Sequence, residues 1–273
     1  MTDSTTTSRR NSHPGTVVIT GASEGIGRAT ATLFAAEGHD LVLLARNATR
    51  LTELADMLAT RHGVDCRTAV VDVRDASALR ACITDAVHGR RLAAGIVNAG
   101  IGLYGPFLHT GWEDVTDVLR TNVEGALATA HALLPLLTAQ GSGSLVFISS
   151  ALGKRGIPYN AVYSATKQAL VGFADGLRLE CRPLGVHVGV VCPARTDTPF
   201  FDRMTYAVPQ TKRRTLPTNP PEMVARAILR CVRRRRREIV VSVPGKLFAF
   251  GGVHFPRLSD FLLSHSVPRP EDP

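Results

Sequence analysis

Short apolar runs alternate along the chain with longer segments in which apolar residues recur every three or four positions. The β-branched run at residues 16–20 predicts a fully buried first strand. This alternation implies right-handed crossovers, so the predicted fold class is α/β, with a doubly wound parallel sheet covered on both faces in a single domain. The other predicted strands are residues 41–45, 68–71, 94–97, 145–148, 186–191 and 238–243.

Helices are predicted between these strands. Gly38 and Gly63 end the first two helices, and Pro220 with Pro221 begins the last one. The longest helix is expected to be interrupted by Pro135. The predicted helices cover residues 28–37, 51–63, 79–87, 112–138, 158–182 and 220–232.

Composition divides the chain into segments. Residues 1–14 are rich in Thr and Ser and lack an apolar run, which predicts a disordered tail and argues against a secretory signal. Residues 15–245 form the α/β domain, whose irregular stretch at 193–219 is typical of a substrate lid. Residues 246–273 are a C-terminal extension that either folds back over the substrate site or makes peripheral contact with a membrane.

Charge and cysteine content narrow the class of protein. The net charge of +9 comes partly from a basic block at residues 233–237, but no aromatic residues are interleaved with it. We therefore interpret these charges as solvated and predict no nucleic-acid partner. The five cysteines are far apart and the histidines form no ligand cluster, which favours a cytoplasmic protein and predicts no metal site. No apolar run is long enough to predict a membrane span.

A glycine-rich turn follows the first predicted strand and precedes a predicted helix. Glycines there let the backbone approach a pyrophosphate, and the helix N-terminus supplies free N–H groups. The spacing differs from GxGxxG, and such turns also occur for structural reasons, but this position favours nucleotide binding. The candidate contacts in the turn are Gly21, Ser23, Glu24, Gly25, Ile26 and Gly27.

The end of the second strand selects the cofactor. An acidic residue there would accept a hydrogen bond from the ribose 2′-hydroxyl of NAD, whereas this chain has Arg46 after Ala45. Because a guanidinium pairs with a 2′-phosphate, Arg46 predicts NADP(H); the alternative is an ordinary surface arginine. Asp72 and Val73 follow the third strand, where Asp72 either binds the adenine edge or caps the next helix.

Tyr163 and Lys167 are four residues apart and therefore lie on one face of a helix. An ammonium group favours the phenolate, so we expect Lys167 to lower the pKa of Tyr163 toward neutrality. Such a tyrosine exchanges a proton with a carbonyl or alcohol oxygen. Such a pair is common on helices and by itself does not indicate catalysis. Together with the predicted nucleotide site, it indicates a catalytic pair.

With these motifs in this order, residues 15–245 resemble a short-chain dehydrogenase/reductase, which has a Rossmann-type fold. The resemblance implies an NADP-dependent oxidoreductase that interconverts a ketone and a secondary alcohol by hydride transfer. Besides the glycine turn and the Tyr163–Lys167 pair, the motifs that carry it are Asp72-Val73, Asn98-Ala99-Gly100, Asn122, Ser149-Ser150 and Pro193 with Thr198.

The resemblance also implies a role for each residue. Tyr163 is expected to be the general acid/base, Lys167 to lower its pKa and bond the nicotinamide ribose, and Ser150 to hold the substrate oxygen. Asn122 is expected to anchor a water that links Lys167 to a proton relay. The further implied cofactor contacts are Asn98, Ala99, Gly100, Tyr163, Lys167, Pro193, Thr196 and Thr198.

Several of these residues have structural alternatives. Ser150 either holds the substrate or caps the following loop, and Ser149 is a neighbour that only spacing disfavours. Asn122 either serves the relay or marks a kink in a helix, while Asn98 is expected to stabilise the sheet more than to touch substrate. Ala194 replaces the family's usual glycine and is strained if its φ is positive.

Apolar residues in the loops near the site predict a lipophilic substrate such as a steroid, a fatty acyl chain or a hydrophobic ketone, with simple packing of the lid as the alternative. Basic residues in the same loops make a 3-oxoacyl reductase acting on a carrier- or CoA-bound chain a second candidate. A catalytically silent NADPH-binding protein is a third. The apolar set is Leu103, Tyr104, Phe107, Leu152, Ile157, Tyr159, Phe200, Phe201 and Met204, and the basic set is Lys154, Arg155, Arg203, Lys212, Arg213 and Arg214.

The resemblance implies a homodimer or homotetramer through the helices near 112–138 and 158–182. Small residues would allow close packing there, but the sequence does not separate an exposed face from the sheet-facing one. The small residues are Ala126, Ala128, Ala130, Ala165, Ala169, Gly172 and Ala174.

Overall fold

Strands and helices alternate through most of the chain in a computed structural model that describes residues 14–208 and 218–266. The strands are β1 (Thr16–Thr20), β2 (Asp40–Ala45), β3 (Cys66–Val70), β4 (Leu92–Val97), β5 (Leu103–Tyr104), β6 (Ser144–Ile148), β7 (His187–Cys192), β8 (Thr205–Tyr206) and β9 (Glu238–Val240). The helices are α1 (Gly25–Ala36), α2 (Ala48–His62), α3 (Ala76–Ala86), α4 (Trp112–Leu119), α5 (Gly125–Ala139), α6 (Ala161–Cys181), α7 (Pro221–Arg233), α8 (Val243–His254) and α9 (Pro256–Ser266).

Within those described ranges, seven strands form one parallel sheet in the order β3-β2-β1-β4-β6-β7-β9. The chain runs outward from β1 to β3, then returns to β4 on the other side of β1. This reversal places a crevice between the carboxyl ends of β1 and β4, which is where ligands bind in open α/β sheets. The predicted doubly wound, Rossmann-type fold is confirmed.

Both faces of the sheet are buried because successive side chains of a strand point to opposite faces. Val18 of β1 packs in one apolar cluster with residues of α3, α5 and α6. Its neighbours Val17 and Ile19 pack in a second cluster with α1, α2 and α7. The continuous apolar runs in the sequence are therefore explained by helices on both sides.

The long helix differs from the prediction. Pro135 does not interrupt it: α5 continues through this residue, which lies on the exposed side where the carbonyl group that loses its N–H partner reaches water. The irregularity is instead a π-helical turn at Arg120–Glu124, between α4 and α5, and it contains the buried Asn122. The last strand is also shorter than expected, because α8 begins at Val243.

The C-terminal extension folds back over the carboxyl edge of the sheet as two helices. Pro244, Gly245 and Phe248 of α8 and Ser266 of α9 line the cleft at that edge. In the part of the chain that the structure describes, no helix has the length and apolar character needed to cross a membrane. The predictions for residues 1–13, 209–217 and 267–273, including Lys212, Arg213 and Arg214, lie outside the described residues.

Candidate active site

A cleft of about 1560 Å³ opens at the carboxyl edge of the sheet. Among the predicted site residues, Gly27 and Asn122 do not line it: Gly27 packs beneath the turn, and Asn122 is fully buried behind the wall. The predicted residues that line it are Gly21, Ser23, Glu24, Gly25, Ile26, Arg46, Asp72, Val73, Asn98, Ala99, Gly100, Ser150, Tyr163, Lys167, Pro193, Thr196 and Thr198.

The glycine turn between β1 and α1 has the conformation that a phosphate cradle requires. Gly21 and Gly25 have φ values of 65° and 53°, which side-chain-bearing residues rarely adopt. A Cβ at Gly27 would overlap the carbonyl oxygen of Gly21, so any side chain there would force the turn apart. The N-terminus of α1 therefore faces the cleft with unpaired N–H groups and the positive end of its dipole. The residues present fit the pyrophosphate of a dinucleotide.

Arg46 lies at the carboxyl end of β2 with its side chain 67% exposed and Nη1 4.0 Å from Oδ2 of Asp72. Asp72 is held more closely by Arg74, whose Nη2 and Nε donate to Oδ2 at 2.8 and 3.0 Å. These bonds lower the pKa of the Asp72 carboxyl below its usual value. Since Arg74 occupies the carboxylate, Arg46 is left with a long contact and with a guanidinium facing the cleft.

Asn98 joins the two strands that flank the crevice. Its Nδ2 donates to the carbonyl oxygens of Thr20 and Gly21 at 3.0 and 3.2 Å. Its backbone N–H and that of Ala99 donate to Oγ1 of Thr20 at 3.0 and 3.2 Å. The side chain is thus used in fixing the glycine turn against the end of β4, in agreement with the expected stabilising role.

Ser149 and Ser150 follow β6 but point to different surroundings. Oγ of Ser149 is buried and donates to the carbonyl oxygen of Lys167 at 2.7 Å. Ser150 faces the cleft, where its side chain is hydrogen-bonded to Tyr163 and also accepts from the N–H of Leu152 at 3.1 Å. Ser150 therefore caps a short 3₁₀ turn, as one interpretation predicted, and it also lies beside the tyrosine hydroxyl. Its contact with a substrate oxygen stays a prediction.

The expected effect of Lys167 on Tyr163 is wrong for this structure. Nζ of Lys167 lies 5.7 Å from the centre of the Tyr163 ring and donates to the carbonyl oxygen of Ile148 at 3.0 Å. Burial raises the pKa of Tyr163 to about 12, opposed only by the Ser150 hydrogen bond, and lowers the pKa of Lys167 to about 8. Loss of hydration around the phenolate outweighs an ammonium at this distance, so Tyr163 is a protonated phenol at neutral pH.

Asn122 is held behind the cleft by the π-helical turn. Its Oδ1 accepts from the N–H of Ile101 at 2.8 Å, and its Nδ2 donates to the carbonyl oxygen of Ile101 and to Oγ1 of Thr166 at 2.9 and 3.1 Å. A Cβ at Gly100 would lie 3.0 Å from Oδ1 of Asn122 and 3.3 Å from Nζ of Lys167. The absence of a side chain at Gly100 therefore leaves the space between these two polar groups open.

The predicted lid begins directly after β7. β8 of the lid pairs with β5, and a Cβ at Gly25 would lie 3.1 Å from Thr198. Glu24 bridges two arginines, accepting from Arg203 of the lid at 2.5 Å and from Arg50 of α2 at 2.7 Å. The lid is thereby fastened to the glycine turn. Ala194 is not among the described residues with positive φ, so the expected strain there does not occur.

The substrate side of the cleft is apolar. The ring of Phe200 packs 5.8 Å from the ring of Tyr163, and Met204 and Phe248 line the same cleft. Phe107 is 60% exposed and Leu103 is buried in a small cluster of its own, so neither lines the cleft as expected. Tyr159 lies behind Tyr104 at 6.0 Å. The remaining apolar residues of the predicted set that line the cleft are Tyr104, Leu152, Ile157, Phe200, Phe201 and Met204.

Sequence reasoning did not identify Phe248 or Arg195 as cleft residues, although both line it. Phe248 reaches the cleft only through the fold-back of α8. Arg195 is one of many arginines in the chain, and its position two residues after Pro193 is the only sequence signal that could have selected it.

A doubly wound sheet with a phosphate-type cradle at its switch point defines a nucleotide-binding α/β class. The family model described as short chain dehydrogenase matches residues 15–207. The chain is also 32% identical over 247 residues to dehydrogenase/reductase SDR family member 7B of Danio rerio, covering 86% of this chain and 79% of that protein. This chain belongs to the short-chain dehydrogenase/reductase family of oxidoreductases.

Solved structures agree with this assignment. A short-chain dehydrogenase from Sphingobium yanoikuyae in complex with NADPH is 30% identical, with a TM-score of 0.75 over 90% of this chain and 95% of that chain. The bulky-bulky ketone specific alcohol dehydrogenase from Comamonas testosteroni is 25% identical, with a TM-score of 0.74 over 96% of this chain and 98% of that chain. This chain therefore shares the fold of both proteins over nearly its whole length.

Proposed function

We propose that this protein is an NADP-dependent reductase that converts a lipophilic ketone to a secondary alcohol, and the alcohol to the ketone in reverse. The observation that carries the proposal is the common position of Ser150 and Tyr163 on the cleft wall, beside the glycine turn and in front of the buried Lys167. When bound, NADPH supplies the hydride to the carbonyl carbon.

The side chains supply the remaining needs of carbonyl reduction. Tyr163 donates its phenolic proton to the carbonyl oxygen as negative charge develops there, and Ser150 donates a second hydrogen bond to the same oxygen. Lys167 returns a proton to the phenol, and Asn122, on the other side of the space left by Gly100, anchors the water through which Lys167 regains its proton. Tyr163 is protonated at neutral pH, which is the state that reduction requires.

The preference for NADP is supported by the charges at the far end of the cleft. Arg46 lines the cleft there, and Asp72 beside it is already bound by Arg74, which also pairs with Asp117. Arg46 thus has a planar fork available for a 2′-phosphate, and no acid follows β2 to accept from a 2′-hydroxyl. The NADPH complex of the Sphingobium yanoikuyae relative is consistent with this choice.

The apolar wall formed around Phe200 and Phe248 supports a lipophilic substrate, as does the relative with specificity for bulky ketones. The 3-oxoacyl alternative is weakened because the described basic residues on which it depends are engaged. Lys154 pairs with Glu238 at 2.9 Å, Arg203 with Glu24, and Arg155 with Asp260. We also propose a cytoplasmic location, supported by cysteines that are all unpaired.

Replacing Tyr163 with Phe removes the proton donor and leaves the ring in place. We expect turnover of a hydrophobic ketone with NADPH to fall by about 10²–10⁴-fold, while NADPH affinity measured by fluorescence titration stays within about threefold. The matched control is Tyr104→Phe, which removes a hydroxyl elsewhere on the cleft wall and should retain activity.

The pH dependence tests the same assignment. With a phenol pKa near 12, Tyr163 stays protonated over this range, so ketone reduction should be constant near neutral pH and should fall above about pH 8, where Lys167 loses its proton. Alcohol oxidation should rise with pH because it needs the phenolate. A Tyr163→Phe enzyme that keeps its turnover would remove the tyrosine from the chemistry and leave the silent NADPH-binding protein as the better description.

Arg46→Ala should weaken NADPH binding by about tenfold or more, because a charge-assisted pair with the 2′-phosphate is lost, and should leave NADH binding unchanged. The measurement is a side-by-side fluorescence titration of the native protein and the variant with both cofactors. Equal affinity of the native protein for NADPH and NADH would show that Arg46 is only a surface residue.

We propose a homo-oligomer that packs through the outer face of α6. Ala165, Ala169 and Gly172 are exposed on that face, whereas Ala126, Ala130 and Ala174 are buried against the sheet. A Cβ at Gly172 would meet no atom within 4 Å in the single chain, so a partner helix has room to approach closely.

A charged side chain at this face tests the interface. Gly172→Arg should lower the molar mass measured by light scattering to that of a single chain, because an unpaired guanidinium cannot be buried between two helices. Thr52→Arg, on the exposed side of α2, is the matched control and should leave the mass unchanged. Identical masses for both variants and the native protein would place the interface elsewhere.

We propose that α8 and α9 rest on an anionic membrane surface with their outer face. That face is strongly apolar and carries Lys246 and Arg257, while the carboxylate of Asp260 is neutralised by Arg155. The inner side of α8 lines the cleft, so a lipophilic substrate would enter from the bilayer. The exposed apolar residues of this segment are Val243, Leu247, Phe250, Val253, Phe255, Leu258, Phe261 and Leu262.

Phe250→Glu should abolish co-sedimentation with vesicles that contain phosphatidylserine, since it introduces a like charge into the apolar face. Leu108→Glu, at an 87% exposed side chain between β5 and α4, is the control and should bind vesicles as the native protein does. Absence of vesicle binding by the native protein, with a lower molar mass for Phe250→Glu, would identify a second copy of the chain as the occupant.

A further inference from the structure

Arg195 lies in the aromatic wall that also contains Tyr163. Its guanidinium carbon is 4.1 Å from the centre of the Phe201 ring. That ring packs edge-on against Phe200 at 5.4 Å, and Phe200 lies 5.8 Å from Tyr163. Three consecutive ring contacts therefore lead from the hydroxyl that donates the proton to this cation, on the substrate side of the cleft.

The guanidinium of Arg195 has no ionic partner among residues 14–208 and 218–266. Its Nε is buried without a hydrogen-bond partner, and a ring face is the contact that its charged end makes. The other described basic residues of the predicted substrate loops do have ionic partners. Arg203, Lys154 and Arg155 each pair with a carboxylate. Arg195 is thus a cleft cation whose counter-charge the described chain does not provide.

The backbone of Arg195 is fixed in place. Its carbonyl oxygen accepts from the N–H of Asn219 at 2.8 Å and from Nδ2 of the same residue at 3.2 Å. Asp197 closes the pairing on the other side by donating its N–H to the carbonyl oxygen of Asn219 at 2.9 Å. The side chain therefore projects from a rigid anchor and is already oriented by the Phe201 ring, so little entropy is lost when an anion binds.

A partly buried guanidinium without a counter-ion is costly, and its planar fork matches the geometry of an oxoanion. We propose that Arg195 binds the carboxylate of the substrate, which makes the substrate an oxo acid: a ketone that carries a carboxylate beyond an apolar segment. This inference rests on the proposed function and deepens it. The apolar segment lies along Phe200 and Phe201, the ketone lies at Tyr163 and Ser150, and the acid lies at Arg195.

The experiment compares a hydrophobic oxo acid with its methyl ester as substrates of the full-length protein. For Arg195→Met, kcat/KM should fall by about 10–100-fold on the acid, mainly through KM, because a charge-assisted pair is lost. The ester, which has no charge to bind, should change by less than about threefold. Arg195→Lys should recover part of the loss on the acid, and Arg61→Met, which alters an exposed cation of α2 outside the cleft, should leave both substrates unchanged.

Three results would overturn the inference. An equal loss on acid and ester, with NADPH affinity preserved, would mean that Arg195 only supports the Phe201 ring. Weaker NADPH binding by Arg195→Met would assign the cation to the cofactor. A native enzyme that reduces the ester as well as the acid would refute the carboxylate-binding role of Arg195 and leave the proposed function standing. Failure to reduce any ketone would refute the proposed function itself. Thermal melting of both Arg195 variants verifies folding, and Arg195→Gln, which also removes the charge, replaces Arg195→Met in the comparison if that variant does not fold.

Discussion

The junction between β1 and β4 is the constraint on which the site depends. Asn98 donates to Thr20 across it through both its backbone N–H and its side-chain amide, and the same amide donates to the carbonyl oxygen of Gly21. Two strand ends that would otherwise diverge at the switch point are therefore held in register. The glycine turn on one side and the loop through Gly100 on the other form opposite walls of one cleft because of this junction.

Much of the architecture was predictable because it depends on local patterns. The strands and helices were predictable from the length of the apolar runs, the helical spacing of apolar residues and the positions of the glycines. Their alternation in turn predicted a site at the carboxyl ends of the strands. Pro135 shows the limit of such reasoning: a proline is tolerated inside α5 because its side of the helix is exposed, and exposure is a tertiary property. The π-helical turn that buries Asn122 leaves no comparable signal in the sequence.

Charge was harder to predict than shape. Spacing placed Lys167 near Tyr163 correctly, but the pKa of the phenol depends on hydration and on the distance between the charged atoms. The basic residues of the loops looked equivalent in the sequence, yet Arg203 and Arg155 meet carboxylates from distant parts of the chain and Arg195 does not. Partners more than a hundred residues away decide which cations are available.

Gly27 has a consequence for how related chains are compared. A side chain there would overlap the carbonyl oxygen of Gly21, so the residue is required by the close packing of the turn and not by contact with a ligand. A descendant that lost Tyr163 or Ser150 would still need this glycine in order to fold. The glycine signature in a homologue is therefore a marker of common architecture, and only the counterparts of Tyr163 and Ser150 report whether the chemistry has been kept.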